Sequence, residues 1–395
     1  MDYLKRWLAD YTAAGRYRRL RPLTARRDGC LEVDGGTGGL PLRDFSSNDY
    51  LALSQHPDLI RASREALEIH GTGVGAARLM SGDLAIFHQL EREVADFKGC
   101  AAALLFGSGY MANVGVVPAL VGRGDVVFTD RLNHASIYDG CRLAGARLLR
   151  FRHNDLAHLE ELLRKERGAG RGLVIVESLY SMDGDIAPLA ELVALKNRYS
   201  CQLLVDEAHA TGVFGEHGGG LIQEAGVADQ VDVVMGTFGK ALGSYGAYVV
   251  GSQELRAYLI NRARSFIYST GLPPAVVGAS RAAVRLVHNQ PELRRHLAEL
   301  SVYFKECLVS EGLAGTPGPS QIVPVMIGDG ATALLLAEEC CRSGFFVTAV
   351  RPPTVPEGTA RIRFSLTLHH RREELAEVAR LFMDACRRLR INPSF

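Results

Sequence analysis

The chain has 395 residues, of which 47% are hydrophobic and 23% are charged, and its formal net charge is +1. These values are ordinary for a soluble globular protein with a large core, and the length suggests two or three domains. The nearly neutral charge argues against a surface dedicated to nucleic acid or anionic membranes.

The N-terminal residues 1–7 have the mixed pattern of an amphipathic helix and lack the apolar segment of a signal peptide. No apolar run approaches the length of a transmembrane helix. The eight cysteines include no C-x-x-C pair, so they are expected to be buried free thiols rather than zinc ligands or disulfides. Together these features predict a cytoplasmic protein.

Short apolar runs alternate with amphipathic helical segments through the middle of the chain. The predicted strands comprise residues 103–106, 126–129, 173–177, 202–206, 231–235 and 247–250. Because these runs are apolar on both faces, they predict an α/β fold with a mostly parallel sheet that helices cover on two sides.

The pattern changes in the last quarter of the chain. Residues 322–326, 345–349 and 360–366 are predicted strands, and residues 332–343 form a predicted helix. This pattern is typical of a small α+β domain. We therefore expect an N-terminal arm (1–44), a large domain (45–288) and a small C-terminal domain (289–395).

Two motifs follow neighbouring predicted strands. Asp206 ends one strand, with His209 three residues later, and Lys240 lies in a glycine-rich turn after another. Open α/β sheets bind ligands at the carboxyl ends of their strands. A lysine can form a Schiff base with an aldehyde cofactor, and an aspartate can pair with a protonated pyridine nitrogen. The three residues therefore predict pyridoxal phosphate (PLP) as cofactor.

Lys240 is also unusual among the lysines of the chain. Small residues flank it at the end of an apolar strand, where desolvation would lower its pKa and favour imine chemistry. The remaining lysines are expected to be solvated surface charges. They are Lys5, Lys98, Lys165, Lys196 and Lys305.

Other classes of function fit the sequence less well. Residues 206–209 match the D-E-A-H box of helicase-type ATPases, but that function also needs a G-x-x-x-x-G-K-[ST] loop, and Ala241 follows Lys240. Residues 71–75 resemble a dinucleotide-binding loop but follow a predicted helix rather than a strand. A non-catalytic scaffold would leave Lys240 and its matched acid unexplained.

Three further motifs have both a functional and a structural interpretation. Ser108, Gly109 and Tyr110 open a predicted helix, where phosphate could bind, although an ordinary strand-to-helix turn is commoner. His134 could stack on an aromatic cofactor or be a structural histidine. Arg351 precedes three prolines that would stiffen it as a carboxylate clamp, but it could equally be a solvated arginine.

Taken in order, these motifs resemble the PLP-dependent α-oxoamine synthases, which have an aminotransferase-like fold (PLP fold type I). The resemblance extends over nearly the whole chain and implies an acyltransferase. Its segments are residues 45–51, 71–73, 81–82, 108–110, 133–136, 181–185, 206–212, 237–240, 268–270 and 358–361.

The resemblance implies specific roles around the cofactor. Lys240 would carry PLP and move the substrate proton, Asp206 would bind the pyridinium nitrogen, and His209 would bind the phenolic oxygen. His134 would stack on the ring and could donate to an oxyanion. Further cofactor contacts are implied for Ser108, Gly109, Tyr110, Ser181, Thr237 and Thr270. Thr270 would reach the phosphate from a partner subunit, which implies a homodimer with shared active sites; no metal site is implied.

The resemblance also implies substrate contacts. Arg351 would bind the carboxylate of L-alanine, with Asn48 close by, and Thr354 and Arg18 would border the acyl substrate. Residues 351–356 and 153–155 are most similar to the members that condense L-alanine with a pimeloyl thioester in biotin biosynthesis, releasing carbon dioxide and the thiol carrier.

Two properties of the substrates stay open. The pimeloyl group could arrive on coenzyme A or on acyl carrier protein. A sister activity, joining glycine or serine to an acetyl, succinyl or long-chain thioester, is the alternative. Residues 76–78 depart from the family's glycine- and serine-rich pattern near the acyl substrate, which leaves the acyl-chain preference open.

Overall fold

The structure is a computed structural model that describes residues 1–33, 41–316 and 318–395. The chain forms two compact units. The first unit contains residues 1–48, 182–184 and 296–395, and the second contains residues 49–181 and 185–295. The N-terminal segment thus belongs to the same unit as the C-terminal residues.

The helices and strands follow one another along the chain with short connections. The helices are α1 (Asp2–Ala13), α2 (Pro57–His70), α3 (Ala85–Lys98), α4 (Gly109–Leu120), α5 (Ala135–Ala144), α6 (Leu156–Glu166), α7 (Leu189–Arg198), α8 (Leu221–Glu224), α9 (Gln253–Arg262), α10 (Arg264–Ile267), α11 (Pro274–Asn289), α12 (Pro291–Ser310), α13 (Gly330–Arg342) and α14 (Arg372–Arg388). The strands are β1 (Leu23–Arg27), β2 (Cys30–Val33), β3 (Leu42–Asp44), β4 (Ala102–Phe106), β5 (Val126–Asp130), β6 (Arg147–Phe151), β7 (Gly172–Glu177), β8 (Gln202–Asp206), β9 (Val233–Thr237), β10 (Ala247–Gly251), β11 (Ile322–Gly328), β12 (Phe345–Phe346), β13 (Thr348–Val350) and β14 (Ala360–Ser365).

A seven-stranded sheet forms the centre of the second unit, in the order β4-β10-β9-β8-β7-β5-β6. Strands β5 to β9 pair in parallel with one another, and β10 is antiparallel to both strands beside it, β4 and β9. Every residue of β4, β5 and β7 is buried, as expected for strands that are covered on both faces. The predicted mostly parallel α/β sheet is confirmed.

The register of the parallel strands brings their polar carboxyl ends together. Glu177 at the end of β7 pairs with Asp206 at the end of β8, and Asp206 pairs with Met235 of β9. The turn that carries Lys240 begins directly after β9. The two motifs that the sequence singled out therefore lie on adjacent strands at one edge of the sheet.

The first unit contains two smaller sheets. One has the order β1-β2-β3-β12, and the other has the order β11-β14-β13. The predicted single strand 345–349 is wrong: residues 345–346 pair with β3, whereas residues 348–350 pair with β14. The chain changes sheets at Val347, whose buried side chain continues the apolar run that suggested one strand.

Three lysines that were expected to be solvated are buried, so that prediction is wrong for them. Lys98, Lys196 and Lys305 are only 4%, 9% and 5% exposed. Lys98 and Lys196 pair with carboxylates distant in sequence, which a local charge pattern cannot reveal. Lys305 donates to the carbonyl oxygen of Ser320, and burial lowers its pKa to about 8. Lys5 and Lys165 are exposed as expected.

All eight cysteines are free, and half of them are buried (Cys141, Cys201, Cys340 and Cys386). Among the helices in the described parts of the chain, none is long and apolar enough to cross a membrane.

Candidate active site

Asp206 is a buried carboxylate at the carboxyl edge of the large sheet. Its Oδ1 accepts the backbone N–H of Ala208 at 2.9 Å, and its Oδ2 accepts Nδ2 of Asn113 at 3.1 Å. Asp206 is 5% exposed. Because both oxygens have a donor, the carboxylate is held in one orientation at the point where a ligand of the sheet would meet it.

A chain of hydrogen bonds connects Asp206 to His134. Asn113 on α4 also donates from Nδ2 to the hydroxyl oxygen of Ser136 at 2.9 Å, and that hydroxyl lies 2.7 Å from Nδ1 of His134. Sequence analysis missed both Asn113 and Ser136, because nothing in their local pattern distinguishes them from core residues of a helix. These hydrogen bonds fix the distance and orientation between Asp206, the predicted ring-binding acid, and His134, the predicted ring-stacking imidazole.

The hydrogen bonds of His134 also assign its protonation state. Its Nδ1 accepts the backbone N–H of Ser136 and so caps α5, which leaves the proton of the neutral ring on Nε2. Burial lowers the pKa of His134, and the positive charge of Lys240 lowers it further against the opposing charge of Asp206. At neutral pH, His134 is therefore a neutral imidazole with an N–H at Nε2.

Glu177 is a buried acid that sequence analysis also missed. It accepts the backbone N–H groups of His134 at 2.6 Å and of Ser181 at 3.3 Å, so it positions two predicted site residues. Burial, with the negative charge of Asp206, raises the pKa of Glu177 to about 8, although Lys240 opposes the shift. Asp206 and Lys240 both act electrostatically on Glu177 and on His134, which indicates that these groups lie near one another at the carboxyl end of the sheet.

The turn that carries Lys240 is held by its own residues. The Thr237 hydroxyl donates to the carbonyl oxygen of Gly246 at 2.9 Å and accepts the N–H of Gly239 at 3.1 Å. The Lys240 carbonyl accepts the N–H of Gly243 at 2.9 Å. Lys240 itself is half-buried in this turn.

His209 has a partner that the sequence did not predict. The hydroxyl group of Tyr50 lies 2.6 Å from Nδ1 of His209, and Tyr50 is fully buried. The Tyr50 phenol and the His209 imidazole thus add hydrogen-bonding groups to the end of the sheet at which Asp206 lies.

The predicted phosphate-binding turn forms the N-terminus of α4. The Ser108 side chain caps this helix by accepting the N–H of Met111 at 3.2 Å, and Gly109 is the first helical residue. Tyr110 is 47% exposed and donates its hydroxyl to Asp139. The unpaired N–H groups of a helix N-terminus favour an anion, which agrees with a phosphate role for these residues.

Thr270 lies on the outside of the second unit. It is exposed, and its backbone forms an isolated antiparallel bridge with Ala77. Arg78, next to that bridge, is buried against Asp83 and Glu91. Arg78 is thus an internal anchor of this segment, and the role of Thr270 in a neighbouring site stays a prediction.

The predicted substrate residues lie in the first unit. Arg18 donates to the Thr354 hydroxyl at 2.9 Å, and Arg351 donates to the carbonyl oxygens of Tyr17, at 2.8 Å, and of Gly15. The structure thus brings Arg18, Arg351 and Thr354 together on one surface, although the guanidinium of Arg351 is bound to backbone carbonyls.

Asn48, the remaining predicted substrate residue, has a guanidinium partner in the same unit. Its Oδ1 accepts from Arg363 at 3.3 and 3.4 Å. Arg363 is only 7% exposed and was missed by sequence analysis. The substrate roles of these residues remain predictions.

The groups at the sheet edge fit PLP. They offer a buried carboxylate for a pyridinium nitrogen, a neutral imidazole, a half-buried lysine and a helix N-terminus for a phosphate. In addition, the buried Oδ1 of Asn113 has no hydrogen-bond partner among the described residues. A buried acceptor of this kind beside Asp206 is what a site built around a polar ligand would contain.

The aminotransferase class I and II family model matches residues 41–382. The chain belongs to this family. An 8-amino-7-oxononanoate synthase of Geobacter sulfurreducens is 50% identical over 364 residues, covering 91% of this chain and 92% of that protein. The class I and II aminotransferase fold predicted from the sequence is therefore confirmed.

Solved structures agree with the family assignment. Serine palmitoyltransferase from S. paucimobilis, with bound PLP–myriocin, is 32% identical and has a TM-score of 0.92, with 98% of each chain covered. An 8-amino-7-oxononanoate synthase from Francisella tularensis is 28% identical with a TM-score of 0.76, covering 88% of this chain and 98% of that one. The cofactor of this chain is PLP.

His153 forms a charged bridge between two carboxylates, those of Asp130, which precedes the loop that carries His134, and of Asp185. Its Nδ1 lies 3.0 Å from Asp130 and its Nε2 lies 2.6 Å from Asp185. Burial would lower the pKa of His153, but hydrogen bonds to the two carboxylates outweigh it and raise the pKa to about 10. This imidazolium connects the end of β5 with the segment that follows Ser181.

We expect His153→Gln to destabilise the second unit by about 2 kcal/mol near neutral pH, the usual value of hydrogen bonds to a charged group. Because the folded pKa lies above the unfolded value of about 6.5, the stabilisation is complete below that value and is lost as the pH rises through about 10. Urea unfolding of both proteins between pH 6 and pH 11 measures the difference.

The variant His217→Gln, at an exposed histidine of the same unit, is the matched control and should change stability by less than about 0.5 kcal/mol. A loss in His153→Gln that stays constant up to pH 11 would contradict the charged bridge.

Proposed function

We propose that this protein condenses L-alanine with a pimeloyl thioester to give 8-amino-7-oxononanoate, carbon dioxide and the free thiol carrier, a step of biotin biosynthesis. The observation that carries this proposal is the 50% identity, over nine-tenths of both chains, to a relative of that name. We also predict that the protein is cytoplasmic.

The residues at the sheet edge have separate tasks in this reaction. When bound, PLP supplies a ring that accepts the electron pair left at the amino-acid Cα. Lys240 would hold the cofactor and would also be the base that moves the proton of the amino-acid Cα. Asp206 keeps the ring nitrogen protonated, and His209 with Tyr50 orients the phenolic oxygen. These roles are assignments of this proposal.

His134 can contribute to the carbon–carbon bond-forming step. Its Nε2–H is the donor left after Nδ1 has accepted the hydrogen bonds around Ser136. A neutral N–H donor held in advance can stabilise the negative charge that develops on a thioester oxygen without giving up its proton. Arg351 is assigned to the amino-acid carboxylate, Asn48 to the same substrate, and Arg18 and Thr354 to the acyl group.

A sister synthase activity is the second candidate. It is supported by the high structural similarity to serine palmitoyltransferase, but the identity to that protein is only 32%. The two candidates use the same cofactor chemistry and differ in their amino acid and acyl group.

A crossed substrate panel tests the assignment. Alanine, glycine and serine are each combined with pimeloyl, acetyl and succinyl thioesters, and thiol release is measured. We expect alanine with pimeloyl thioester to give the highest kcat/KM; a preference for another pair would replace this proposal by the sister activity. Lys240→Ala should lower kcat by at least about 100-fold, while Lys165→Ala, which removes an exposed lysine, should not.

We also propose that the active form is a homodimer. Around the Ala77–Thr270 bridge, Met80, Tyr268 and Leu79 are 80%, 71% and 52% exposed. Large apolar side chains clustered on an exposed surface are typical of a subunit interface. Thr270 on the same surface is assigned to the phosphate of the neighbouring active site.

Met80→Asp should therefore shift the protein from dimer to monomer, because it places a charge in an apolar interface. Sedimentation velocity measures the change, and Leu335→Asp, at an exposed leucine of α13, is the control that should remain dimeric. A monomeric wild-type protein, or a dimeric Met80→Asp, would contradict this interface.

A further inference from the structure

Lys98 forms a fully buried ion pair with Glu207, the residue between Asp206 and Ala208. The Lys98 ammonium group lies 2.5 Å from Oε2 of Glu207, and the two side chains are 2% and 0% exposed. Lys98 also donates to the Thr211 hydroxyl at 3.4 Å and to the carbonyl oxygen of Gly219. Lys98 is the last residue of α3, so the pair attaches a helix end to the turn that carries the cofactor-binding acid.

Both the side chain and the backbone N–H of Glu207 form hydrogen bonds. Its Oε1 accepts the N–H of Ile222 at 2.9 Å, and its backbone N–H donates to the carbonyl oxygen of Met235 at 2.7 Å. A Cβ at Gly220 would lie 2.4 Å from the carboxylate, so only glycine leaves room for it there. The carboxylate therefore holds the turn from Asp206 to His209 against Ile222 of α8 and Lys98 of α3. The backbone N–H of Glu207 connects the same turn to β9, which leads to Lys240.

A second arm of the same network reaches the lysine turn. The hydroxyl of Thr211 lies 2.9 Å from that of Tyr248, and the Tyr248 ring packs on Phe238 with 5.1 Å between ring centroids. Phe238 lies two residues before Lys240 in the same turn. Lys98 thus contacts a network that supports both cofactor-binding turns from within the core.

Lys98 and Glu207 are both charged, and each is the counter-ion of the other. Burial would lower the pKa of Lys98, but the charge of Glu207 and its hydrogen bond, together with Tyr248, outweigh burial and raise the pKa. Removing one partner would leave a buried charge uncompensated, which is far more disruptive than removing an exposed one.

We propose that Lys98 is a positioning residue for the cofactor: its ion pair with Glu207 fixes the placement of Asp206, His209 and Lys240 relative to one another. Lys98 touches neither cofactor nor substrate. This inference rests on the proposed attachment of PLP to Lys240. It predicts that loss of Lys98 changes the electronic environment of the bound cofactor as well as the stability of the fold.

The test uses Lys98→Met, which keeps the volume and removes the charge, and the double variant Lys98→Met/Glu207→Gln, which leaves no unpaired charge. The matched control is Lys196→Met. Lys196 is also buried, and it pairs with Asp232 at 3.1 Å, before the amino end of β9 rather than beyond its carboxyl end. For each protein we would measure the pH midpoint of the cofactor's visible absorption band, the dissociation constant for PLP, and the thermal stability of the cofactor-free protein.

The expected result separates positioning from stability. Lys98→Met and the double variant should shift the absorption midpoint by about half a pH unit or more. They should weaken PLP binding roughly 10-fold, within the range by which contacting polar groups couple. Lys196→Met should lower the thermal stability but leave both cofactor properties at their wild-type values.

If Lys98→Met does not fold, the double variant alone decides the question, because it carries no buried charge. A double variant with the absorption midpoint and PLP affinity of the wild type would overturn the positioning role. A wild-type protein that shows no visible cofactor band would instead contradict the proposed function, so the two failures are distinguishable.

Discussion

The orientation of the Asp206 carboxylate is the constraint on which the rest of the site depends. A carboxylate can hold a pyridinium nitrogen only if it stays buried, keeps its direction and faces the ligand at the edge of the sheet. Parallel pairing of β7, β8 and β9 supplies the location, since it places Glu177, Asp206 and the Lys240 turn side by side. Asn113 and the N–H of Ala208 supply the direction.

Two hydrogen-bond systems run in different directions, one from the Asp206 carboxylate and one from the residue that follows it. One runs through Asn113 and Ser136 to His134 and sets the tautomer of a potential oxyanion donor. The other begins at the neighbouring Glu207 and runs into the core to Lys98. The first connects groups that would face the cofactor, and the second runs through side chains buried in the core. The buried ion pair of Lys98 and Glu207 can make such a site rigid, because it holds the turn that carries the cofactor-binding residues.

Sequence patterns predicted the large sheet correctly, for identifiable reasons. Apolar runs of four or five residues between amphipathic helices predicted the buried strands, and the strand-end positions of Asp206 and Lys240 predicted that both would lie at the same end of the sheet. Asn113 and Tyr50 were missed because their partners Asp206 and His209 are 93 and 159 residues away in sequence. Glu177 was missed because it accepts the N–H of His134, which is 43 residues away. Lys98 was misassigned for the same reason, since its partner Glu207 is 109 residues away in sequence.

Lys240 is the proposed attachment point of PLP, and one measurement tests this directly. The holoenzyme is reduced with borohydride, digested with a protease, and the peptides are identified by mass spectrometry. We predict a single pyridoxyl adduct, on the peptide that contains Lys240. An adduct on Lys98, Lys196 or Lys305, or none on any peptide of a protein that has retained PLP, would contradict the assignment of the site.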